Sequence, residues 1–451
     1  MAEFLSIILA AGKGTRMKSD KIKVLHKAAG KSIIKHVIYT LDDLSTKIIN
    51  VVGHQKEEVK LELKDLKDLD IDYVVQEKQL GTGHAVRQAL EYIENHSGPV
   101  LILYGDTPLL KKETVSEFVK EHQKNKSDLS VMTAIFSDPE GYGRILKDGV
   151  GNLTAIVEEK DADDDIKKIK EVNSGVYCVN SKLLALFLKN MDNNNAQEEY
   201  YLTDIIEFAV NRKKNISTFT VSNAEEILGI NTRSQLADAE KVLRKRIINK
   251  HFDNGVTIID PENTYIDAEV DIARDTIIYP FCYLEGKTSI GKNTVINPHC
   301  RLQNAEIAAD VNILSNSIIR DSSVGENTNV GPFAYLRPGS QVGDNCKIGD
   351  FVELKKTVVK NGAKVPHLCY AGDAEIGERT NIGAGTIFAN YDGENKHRTE
   401  VGNDVFIGSD SILIAPLKIG DNAKTAAGSV VTKDIEKNQT VMGVPARIYK
   451  K

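Results

Sequence analysis

Paired cysteines, a strong excess of charge and long apolar runs are all missing from this chain of 451 residues. Its five cysteines have no CxxC spacing, so neither a zinc site nor a disulfide framework is indicated. Lys and Arg number 58 against 64 Asp and Glu, a formal net charge of -6, which argues against nucleic acid and membrane surfaces as partners. The apolar run at 4–11 is too short to span a membrane and has no basic leader. We therefore expect a cytoplasmic protein without an export signal.

What the chain does have is an aliphatic residue at every sixth position from Ile266 to Val431, with few interruptions. A period of six fits neither an isolated helix nor a strand, so it describes a short unit that stacks on copies of itself. Hexapeptide repeats of this kind build a parallel β-helix, with one strand on each flat face and the aliphatic side chain inside. Because the interior is packed, we expect any chemistry on the outer faces or where the period breaks.

Three places break the six-residue period. The interval from Leu354 to Ile376 is 22 residues, which we interpret as three hexads plus four extra residues of loop containing His367. A second loop is predicted at 390–398, and Thr425 replaces an aliphatic residue in one hexad. A lone loop histidine is usually inert, so His367 needs further support as a functional residue.

Before about residue 230, short β-rich runs alternate with amphipathic segments, which is typical of a parallel sheet covered by helices. A helix is predicted at 232–250, linking the two halves, and its basic cluster at 244–246 is expected to face solvent. The predicted strands are 4–10, 47–53, 71–76 and 100–104.

The segment LAAGKGTRM at 9–17 directly follows the first predicted strand. Its glycines let backbone N–H groups approach an anion, and Lys13 and Arg16 supply positive charge, so the segment predicts a phosphate loop. A dinucleotide-binding fingerprint fails because Met17 stands at the third glycine position, and a Walker A motif is absent. A plain strand-to-helix turn remains the alternative.

A carboxylate, Asp106, follows the strand at 100–104 in the sequence Gly-Asp-Thr-Pro. Ligands bind open α/β sheets at the carboxyl ends of the strands, and Mg²⁺ often takes one or two carboxylates together with substrate phosphates. Asp106 is therefore a candidate magnesium ligand, although an aspartate in such a turn is more often structural. In the repeat region, Arg337 and Lys355 lie on successive coils, where they either bind an anionic sugar phosphate or are simply solvated.

Taken together, these motifs resemble a known family. The phosphate loop with Lys23 after it, then Leu-Gly-Thr at 80–82, Gly-Asp-Thr-Pro at 105–108, Tyr-Gly-Arg-Ile at 142–145 and the hexapeptide tail are similar to bacterial bifunctional N-acetylglucosamine-1-phosphate uridylyltransferase and glucosamine-1-phosphate N-acetyltransferase. The resemblance spans nearly the whole chain. It implies an α/β class, with a Rossmann-like nucleotidyltransferase domain at 1–231, a helical linker at 232–252 and a left-handed parallel β-helix at 253–451.

The resemblance also implies that the protein makes UDP-N-acetylglucosamine, a cell-envelope precursor, from glucosamine-1-phosphate, acetyl-CoA and UTP. Arg16 and Lys23 would bind the triphosphate, and Asp106 with Asn231 would hold Mg²⁺. Ile22 stands where relatives often have proline, which predicts a looser turn before Lys23. The implied uridine and sugar pocket consists of Leu9, Ala10, Ala11, Gly12, Lys23, Gln76, Gly81, Thr82, Tyr104, Asp106, Gly143, Glu158, Asn173 and Asn231.

For acetyl transfer, the resemblance implies His367 as the general base, a role that suits a side chain whose ordinary pKa is about 6.5. A covalent acetyl-enzyme on Cys369 is disfavoured because direct transfer needs no nucleophile. The family implies a homotrimer. Glucosamine-1-phosphate would bind Arg337, Lys355, Tyr370 and Asn381, and acetyl-CoA would bind Ala384, Asn390, Tyr391, Ser409, Ala427 and, in a tail that departs from the family pattern, Arg447.

Two other interpretations stay open at this point. The β-helix could be a purely structural or regulatory module attached to a sugar nucleotidyltransferase, in which case His367, Arg337 and Lys355 would have no catalytic role. A scaffold with a degenerate amino-terminal domain is disfavoured because the phosphate loop and Asp106 are both present.

Overall fold

The computed structural model describes residues 4–53 and 55–449. It contains two compact units, Met1–Leu243 and Arg244–Lys451, so the division falls inside one long helix. Within the described ranges, no helix has both the length and the apolar character needed to cross a membrane.

The amino-terminal unit is built on a nine-stranded sheet with the central order β11-β7-β10-β6-β1-β4-β5. Strand β10 is antiparallel to its neighbours β6 and β7, and β8 and β9 extend from it as a hairpin. The pair β2 and β3 forms a separate two-stranded ribbon. The strand bounds are β1 (Phe4–Ala10), β2 (Lys27–Ala28), β3 (Lys31–Ser32), β4 (Ser45–Val52), β5 (Ile71–Val75), β6 (Pro99–Tyr104), β7 (Leu129–Ile135), β8 (Arg144–Lys147), β9 (Leu153–Val157), β10 (Glu171–Asn180) and β11 (Ile216–Thr220).

Helices cover both faces of this sheet, so the central strands are buried on both sides and read as continuous apolar runs. The four strands predicted from the sequence are confirmed, with ends that differ by one or two residues. The helix bounds are α1 (Ile33–Tyr39), α2 (Lys56–Leu63), α3 (Thr82–Arg87), α4 (Leu90–Glu94), α5 (Lys112–Lys124), α6 (Ser181–Asn190), α7 (Ile205–Val210) and α8 (Arg233–Asp253).

The register of β1 and β6 determines where chemistry can occur in this unit. The two strands are parallel, and Leu9 pairs with Tyr104. The segment after β1 therefore begins beside the segment after β6, at the carboxyl edge of the sheet. This places the predicted phosphate loop next to the turn that carries Asp106.

Helix α8 begins after Thr232, whose hydroxyl accepts a hydrogen bond from the Gln235 N–H at 3.2 Å. The expectation that the whole basic cluster at 244–246 faces solvent was wrong. The guanidinium of Arg244 lies 4.4 Å above the ring of Tyr265, and Arg246 is only partly exposed. Of the three residues, Lys245 alone is fully exposed, because the helix turns its other side toward the first coil of the β-helix.

The carboxy-terminal unit is a left-handed parallel β-helix, as predicted. Its strands are short because each flat face holds two to four residues before the chain turns. The bounds are β12 (Thr257–Ile258), β13 (Tyr265–Ile266), β14 (Asp271–Ile272), β15 (Ile277–Ile278), β16 (Tyr283–Glu285), β17 (Ser289–Ile290), β18 (Val295–Ile296), β19 (Arg301–Gln303), β20 (Glu306–Ile307), β21 (Asn312–Ile313), β22 (Ile318–Arg320), β23 (Ser323–Val324), β24 (Asn329–Val330), β25 (Tyr335–Leu336), β26 (Gln341–Val342), β27 (Lys347–Asp350), β28 (Glu353–Lys355), β29 (Val358–Val359), β30 (Lys364–His367), β31 (Tyr370–Gly372), β32 (Ala374–Ile376), β33 (Asn381–Ile382), β34 (Ile387–Ala389), β35 (Thr399–Val401), β36 (Phe406–Ile407), β37 (Ile412–Ile414), β38 (Leu417–Ile419), β39 (Lys424–Thr425), β40 (Val430–Val431), β41 (Thr440–Gly443) and β42 (Ala446–Ile448).

Three parallel sheets form the three faces of the β-helix. The first face runs from β12 through every third strand to β39 and ends in β41 and β42, the second runs from β13 to β40, and the third runs from β14 to β38. The aliphatic residues of the six-residue period, such as Ile278, Leu284 and Ile290, are at most 4% exposed. Thr425 stays in this interior because its hydroxyl accepts a hydrogen bond from the Gly408 N–H at 2.9 Å.

The interpretation of the interval between Leu354 and Ile376 was wrong. No extra loop is present there, because Val359, Val365 and Ala371 are buried and continue the interior stack. The 22 residues are four faces, of which two are one residue short, and not three hexads with an insertion. The period is hard to see in this part of the sequence because its interior positions hold valine and alanine, and similar residues occupy neighbouring positions. His367 consequently lies at the end of β30, at an ordinary corner of the coil.

Candidate active sites

A cavity of about 240 Å³ lies at the carboxyl edge of the amino-terminal sheet. Most of the residues that line it were predicted from the sequence, namely Leu9 to Gly12, Lys23, Gln76, Gly81, Thr82, Tyr104 and Asp106. Four further lining residues were missed, namely Val24, Gln79, Ala85 and Glu199. Arg16 is exposed on the single turn Thr15–Met17 and is not part of this wall.

The phosphate loop approaches Lys23 closely because Gly14 has no side chain. Gly14 adopts φ +61°, and a Cβ there would lie 2.7 Å from the Lys23 Cβ. Ile22, which precedes Lys23, has φ -61° and ψ 147°, values that proline also adopts. The backbone thus has the shape that proline would impose, and the expected loosening of this turn by Ile22 stays a prediction.

The Lys23 ammonium joins two residues that are far apart in the sequence. It contacts the Asp106 carboxylate and donates a hydrogen bond to Asn231 Oδ1 at 2.9 Å. The Ile230 N–H donates to the Asp106 carbonyl at 2.9 Å, which holds the Asn231 segment beside the turn after β6. A cationic group thus lies where the oxygens of Asp106 and Asn231 converge, so this pair of oxygen ligands suits a small cation.

The second glycine turn, at the start of α3, packs against the segment before α7. Gly81 has φ +103°, and a Cβ on it would lie 2.6 Å from the Tyr200 carbonyl oxygen. The Gly83 N–H donates to that oxygen at 2.8 Å, and the Leu202 N–H donates to Thr82 Oγ1 at 3.0 Å. These bonds bring Glu199 to the cavity, which no local sequence signal indicates.

Tyr104 forms the inner wall through its contact with Gly175. Gly175 has φ +80°, and a Cβ there would lie 1.8 Å from Tyr104 Cε2. The Asn173 side chain supports this bend of β10, since its Oδ1 accepts the Gly175 N–H at 3.0 Å while its Nδ2 donates to the Tyr177 hydroxyl at 2.6 Å. Burial raises the pKa of Tyr104, so its phenol stays protonated and its hydroxyl can donate a hydrogen bond.

Glu158 lies next to Tyr104 and is mostly buried. Burial raises the pKa of Glu158, and the hydrogen bond that it accepts from Thr203 Oγ1 at 3.2 Å partly opposes this shift. A Cβ on Gly143 would lie 3.0 Å from Ile156 Cγ2 and 3.5 Å from Glu158 Oε2, so the glycine packs closely against β9 and this carboxylate. Gly143, Glu158 and Asn173 are not among the residues that line the cavity.

On the β-helix, four residues of the predicted acetyl-transfer site stack in one column with Asp350, at the corner between the first and second faces. The carbonyls of Asp350, His367, Ala384 and Ser409 each accept a hydrogen bond from the next coil, at 2.9, 3.3, 2.7 and 2.8 Å. Ala427 continues the column, because its neighbour Gly428 donates the last of these bonds. Coils are spaced by about 4.8 Å. Beyond His367, the column therefore presents only small side chains, those of Ala384, Ser409 and Ala427, one on each coil.

Asp350 was missed by the sequence analysis. It pairs with His367 in the register of β27 and β30, and its carboxylate accepts a hydrogen bond from His367 Nδ1. This contact with His367 lowers the pKa of Asp350. The contact arises from coil stacking, because the two residues are one coil apart and their neighbours in the sequence do not reveal it.

Arg337 directly follows β25 and Lys355 ends β28, so the two residues occupy equivalent positions on successive coils, as predicted. Arg337 Nη1 donates to Glu353 Oε1 at 2.8 Å, and this bond raises the pKa of Arg337. Lys355 meets Lys396, a residue of the loop at 390–398 that was also missed. The contact with Lys396 lowers the pKa of Lys355, and burial and Arg337 add to the shift. Cations this close to one another favour an anionic ligand between them.

The loop at 390–398 interrupts the coil where it was expected, and a bridge between Tyr391 and Lys396 closes it. Asn390 anchors its base, since Nδ2 donates to Asp373 Oδ2 at 2.6 Å. Gly372 lets Tyr370 approach this base, because a Cβ there would lie 2.5 Å from the Tyr370 hydroxyl. Asn381 lies on β33, in register with Lys364 on the coil before.

Two further predicted details concern Cys369 and Arg447. The Cys369 side chain is 2% exposed, and burial raises its pKa to about 12, so its thiol is not an available nucleophile. Arg447 is exposed on β42, which pairs with β41 as a hairpin at the end of the first face. Val441 pairs with Thr425 on the coil before. Gly443 and Ala427 each lie two residues further on, so the hairpin turn continues the column beyond Ala427.

Family models match both halves of the chain. Residues 5–225 match the nucleotidyl transferase model, residues 262–340 match the GMPPB C-terminal domain, and residues 398–433 match the bacterial transferase hexapeptide (six repeats). The fold and the two candidate sites therefore define a transferase in which a nucleotidyltransferase domain is joined to a hexapeptide β-helix.

Several relatives are similar over nearly their whole length. The bifunctional protein GlmU of Acetivibrio thermocellus is 47% identical over 432 residues, covering 96% of this chain and 93% of the relative. That of Caldanaerobacter subterraneus subsp. tengcongensis is 49% identical over 436 residues, covering 96% and 94%, and that of Brevibacillus brevis is 44% identical over 451 residues, covering 100% and 97%. The chain belongs to this family of bifunctional GlmU proteins. The resemblance drawn from the sequence is confirmed, as is the expectation of both a nucleotidyltransferase and an acetyltransferase activity. A purely structural β-helix is not favoured.

Proposed function

We propose that this protein makes UDP-N-acetylglucosamine in two steps at two separate sites. Acetyl-CoA first acetylates the amine of glucosamine-1-phosphate on the β-helix, and UTP then uridylylates the product in the amino-terminal cavity. Similarity to bifunctional relatives along the whole chain is the observation that carries the proposal. Two complete sets of polar residues, one in each unit, support it.

In the uridylyl transfer, the 1-phosphate of N-acetylglucosamine-1-phosphate attacks the α-phosphorus of UTP, and pyrophosphate leaves. Such reactions depend on positioning and on neutralising charge, and need no activated protein nucleophile. The backbone from Leu9 to Gly12, with Arg16 and Lys23, binds the triphosphate. The uridine and sugar contact Gln76, Gly81, Thr82, Tyr104, Gly143, Glu158, Asn173 and Asn231.

Asp106 and Asn231 would hold Mg²⁺ during this step. Their oxygens already converge on the ammonium of Lys23, and oxygen ligands of this kind suit Mg²⁺, which keeps several other positions for substrate phosphates. The ion would neutralise charge on the phosphates. With the ion between Asp106 and Asn231, the Lys23 ammonium would bind a phosphate oxygen in place of these two side chains.

In the acetyl transfer, His367 takes a proton from the amine as it attacks the thioester of acetyl-CoA. Arg337, Lys355, Tyr370 and Asn381 hold the sugar phosphate beside it. Ala384, Asn390, Tyr391, Ser409 and Ala427 line the path of the coenzyme, and Arg447 contacts its phosphates. The transfer is direct, because the thiol of Cys369 is buried and protonated.

Larger-scale features belong to the same proposal. The protein acts in the cytoplasm as a homotrimer, with neighbouring subunits around the acetyl-transfer site. Its functional domains are 1–231 for uridylyl transfer and 253–451 for acetyl transfer, joined by a linker at 232–252. The product serves cell-envelope synthesis, including peptidoglycan and lipopolysaccharide precursors.

The test follows both products at once. The protein is mixed with glucosamine-1-phosphate, acetyl-CoA, UTP and Mg²⁺, and free thiol and pyrophosphate are measured separately. Thiol should appear first, and pyrophosphate should follow only when acetyl-CoA is present. Thiol release without subsequent pyrophosphate, or pyrophosphate formation that ignores acetyl-CoA, would refute the two-step sequence.

A further inference from the structure

The contact between Asp350 and His367 assigns a tautomer to the histidine. A carboxylate can only accept hydrogen bonds, so the hydrogen in this contact is on His367 Nδ1. In the neutral ring, the lone pair is then on Nε2. A base needs a free lone pair on a fixed atom, so the contact prepares one ring nitrogen for a proton and leaves the other as a donor.

Within the described part of the chain, Asp350 is the carboxylate that contacts His367. Glu353 is engaged by Arg337 at 2.8 Å. The next coil places neutral Ala384 in the column after His367. Besides Asp350, the ionisable or polar groups on the strands around His367 are Lys347 on β27, Lys364 on β30, Asn381 on β33, Glu353 and Lys355 on β28, and Tyr370 on β31. Asp350 is therefore the negative charge placed to stabilise the imidazolium that forms when Nε2 gains a proton.

We propose that Asp350 is a positioning residue for acetyl transfer: it holds His367 with Nε2 free for the substrate amine and stabilises the ring after proton transfer. This rests on the proposed function, in which His367 is the base. The transfer forms one bond, breaks one bond and moves one proton. The amine nitrogen bonds to the acetyl carbon, the bond from that carbon to the coenzyme sulfur breaks, and the amine proton moves to Nε2. Asp350 gains no proton, because Nδ1 keeps its own.

The carboxylate of Asp350 should affect the rate of acetyl transfer and not the binding of either substrate. Asp350→Asn keeps the size of the side chain and removes the charge that stabilises the imidazolium. We therefore expect kcat to fall about tenfold, as removal of an orienting partner does elsewhere.

The test compares Asp350→Asn, Asp350→Glu and His367→Ala with Asp275→Asn, which removes an exposed charge from a turn in the first coil. In Asp350→Asn, we expect the lower kcat, with KM for both substrates within about twofold. Asp350→Glu keeps the charge and should recover part of the lost kcat, and Asp275→Asn should change neither kcat nor KM. Circular dichroism and thermal unfolding of each variant report whether the β-helix is folded, and uridylyl transfer reports the state of the amino-terminal unit.

The outcomes separate the two levels of the proposal. If His367→Ala keeps acetyl transfer, the assigned base is wrong. If His367→Ala loses acetyl transfer while Asp350→Asn keeps the kcat of the parent protein, or changes KM alone, the proposed function stands and the role of Asp350 is refuted.

Discussion

Gly175 shows how a residue without a side chain shapes the amino-terminal cavity. Its φ of +80° and its closeness to the Tyr104 ring leave no room for a Cβ. The sequence analysis named Tyr104 and Asn173 but not Gly175, the residue of β10 that faces that ring, because a close approach between two strands has no signal in the local sequence. Asp350 was missed for a similar reason, since its partner is one coil away.

Gly175→Ala should therefore damage the cavity. The new Cβ would lie 1.8 Å from Tyr104 Cε2 at a strained φ, so we expect a stability loss on the order of 2–4 kcal/mol in the amino-terminal unit. Uridylyl transfer should fall at least about tenfold through misplacement of the ring. Gly149→Ala, where a Cβ meets nothing within 4 Å, is the matched control. Urea unfolding and pyrophosphate release measure the two effects, and equal behaviour of the two variants would contradict the assigned role of Gly175.

Cys369→Ala should keep acetyl transfer. The buried thiol has a pKa of about 12, so almost no thiolate exists at neutral pH and no acetyl-enzyme is expected. We expect kcat within about threefold of the parent protein, because only a small buried atom is lost. Thiol release from acetyl-CoA checks this. A folded variant without acetyl transfer would support a covalent intermediate instead.

At the scale of elements, the six-residue period predicted most of the β-helix, because each interior position demands an apolar side chain whatever its neighbours do. The period failed between Leu354 and Ile376, where two faces are one residue short and Ala371 takes an interior place. The loop at 390–398 was predicted correctly, but its contribution of Lys396 was not. A loop can be located from a broken period, whereas the direction in which it folds depends on contacts such as Asn390 with Asp373.

The loop should act through Lys396. Lys396→Ala removes a cation that meets Lys355 beside Arg337, so we expect KM for glucosamine-1-phosphate to rise about tenfold, as loss of a charge-assisted bond would cause. KM for acetyl-CoA should change less than about twofold. Lys418→Ala, which removes an exposed lysine paired with Glu400 at 3.4 Å, is the control. Steady-state kinetics of thiol release measures both constants, and an unchanged KM for the sugar phosphate would exclude Lys396 from its site.

The turn before Lys23 should accept proline. Ile22 already has φ -61° and extended ψ, so Ile22→Pro fits the backbone and reduces the freedom of the unfolded chain. Part of that gain is lost because Ile22 also packs against the core. We expect stability within about 1 kcal/mol of the parent protein and uridylyl transfer within about twofold. Thermal unfolding and pyrophosphate release test this, and loss of activity would mean that Lys23 needs a different turn.

At the scale of the whole molecule, sequence analysis gave the two architectures and the family, because both depend on patterns repeated along the chain. The details of each site depend instead on contacts between distant segments, such as Asn231 with Lys23, and those followed only from resemblance. The central claim is that the two sites work independently, one on the turn that carries Asp106 and the other on the column that carries His367.

The most direct test measures both half-reactions in Asp106→Asn and His367→Ala, with Asp68→Asn, an exposed carboxylate of the amino-terminal unit, as control. Asp106→Asn should lose uridylyl transfer about a hundredfold or more while keeping acetyl transfer, and His367→Ala should do the reverse. A mixture of the two variants should then convert glucosamine-1-phosphate to UDP-N-acetylglucosamine. Loss of both half-reactions in either folded variant, or full uridylyl transfer by Asp106→Asn, would contradict the account.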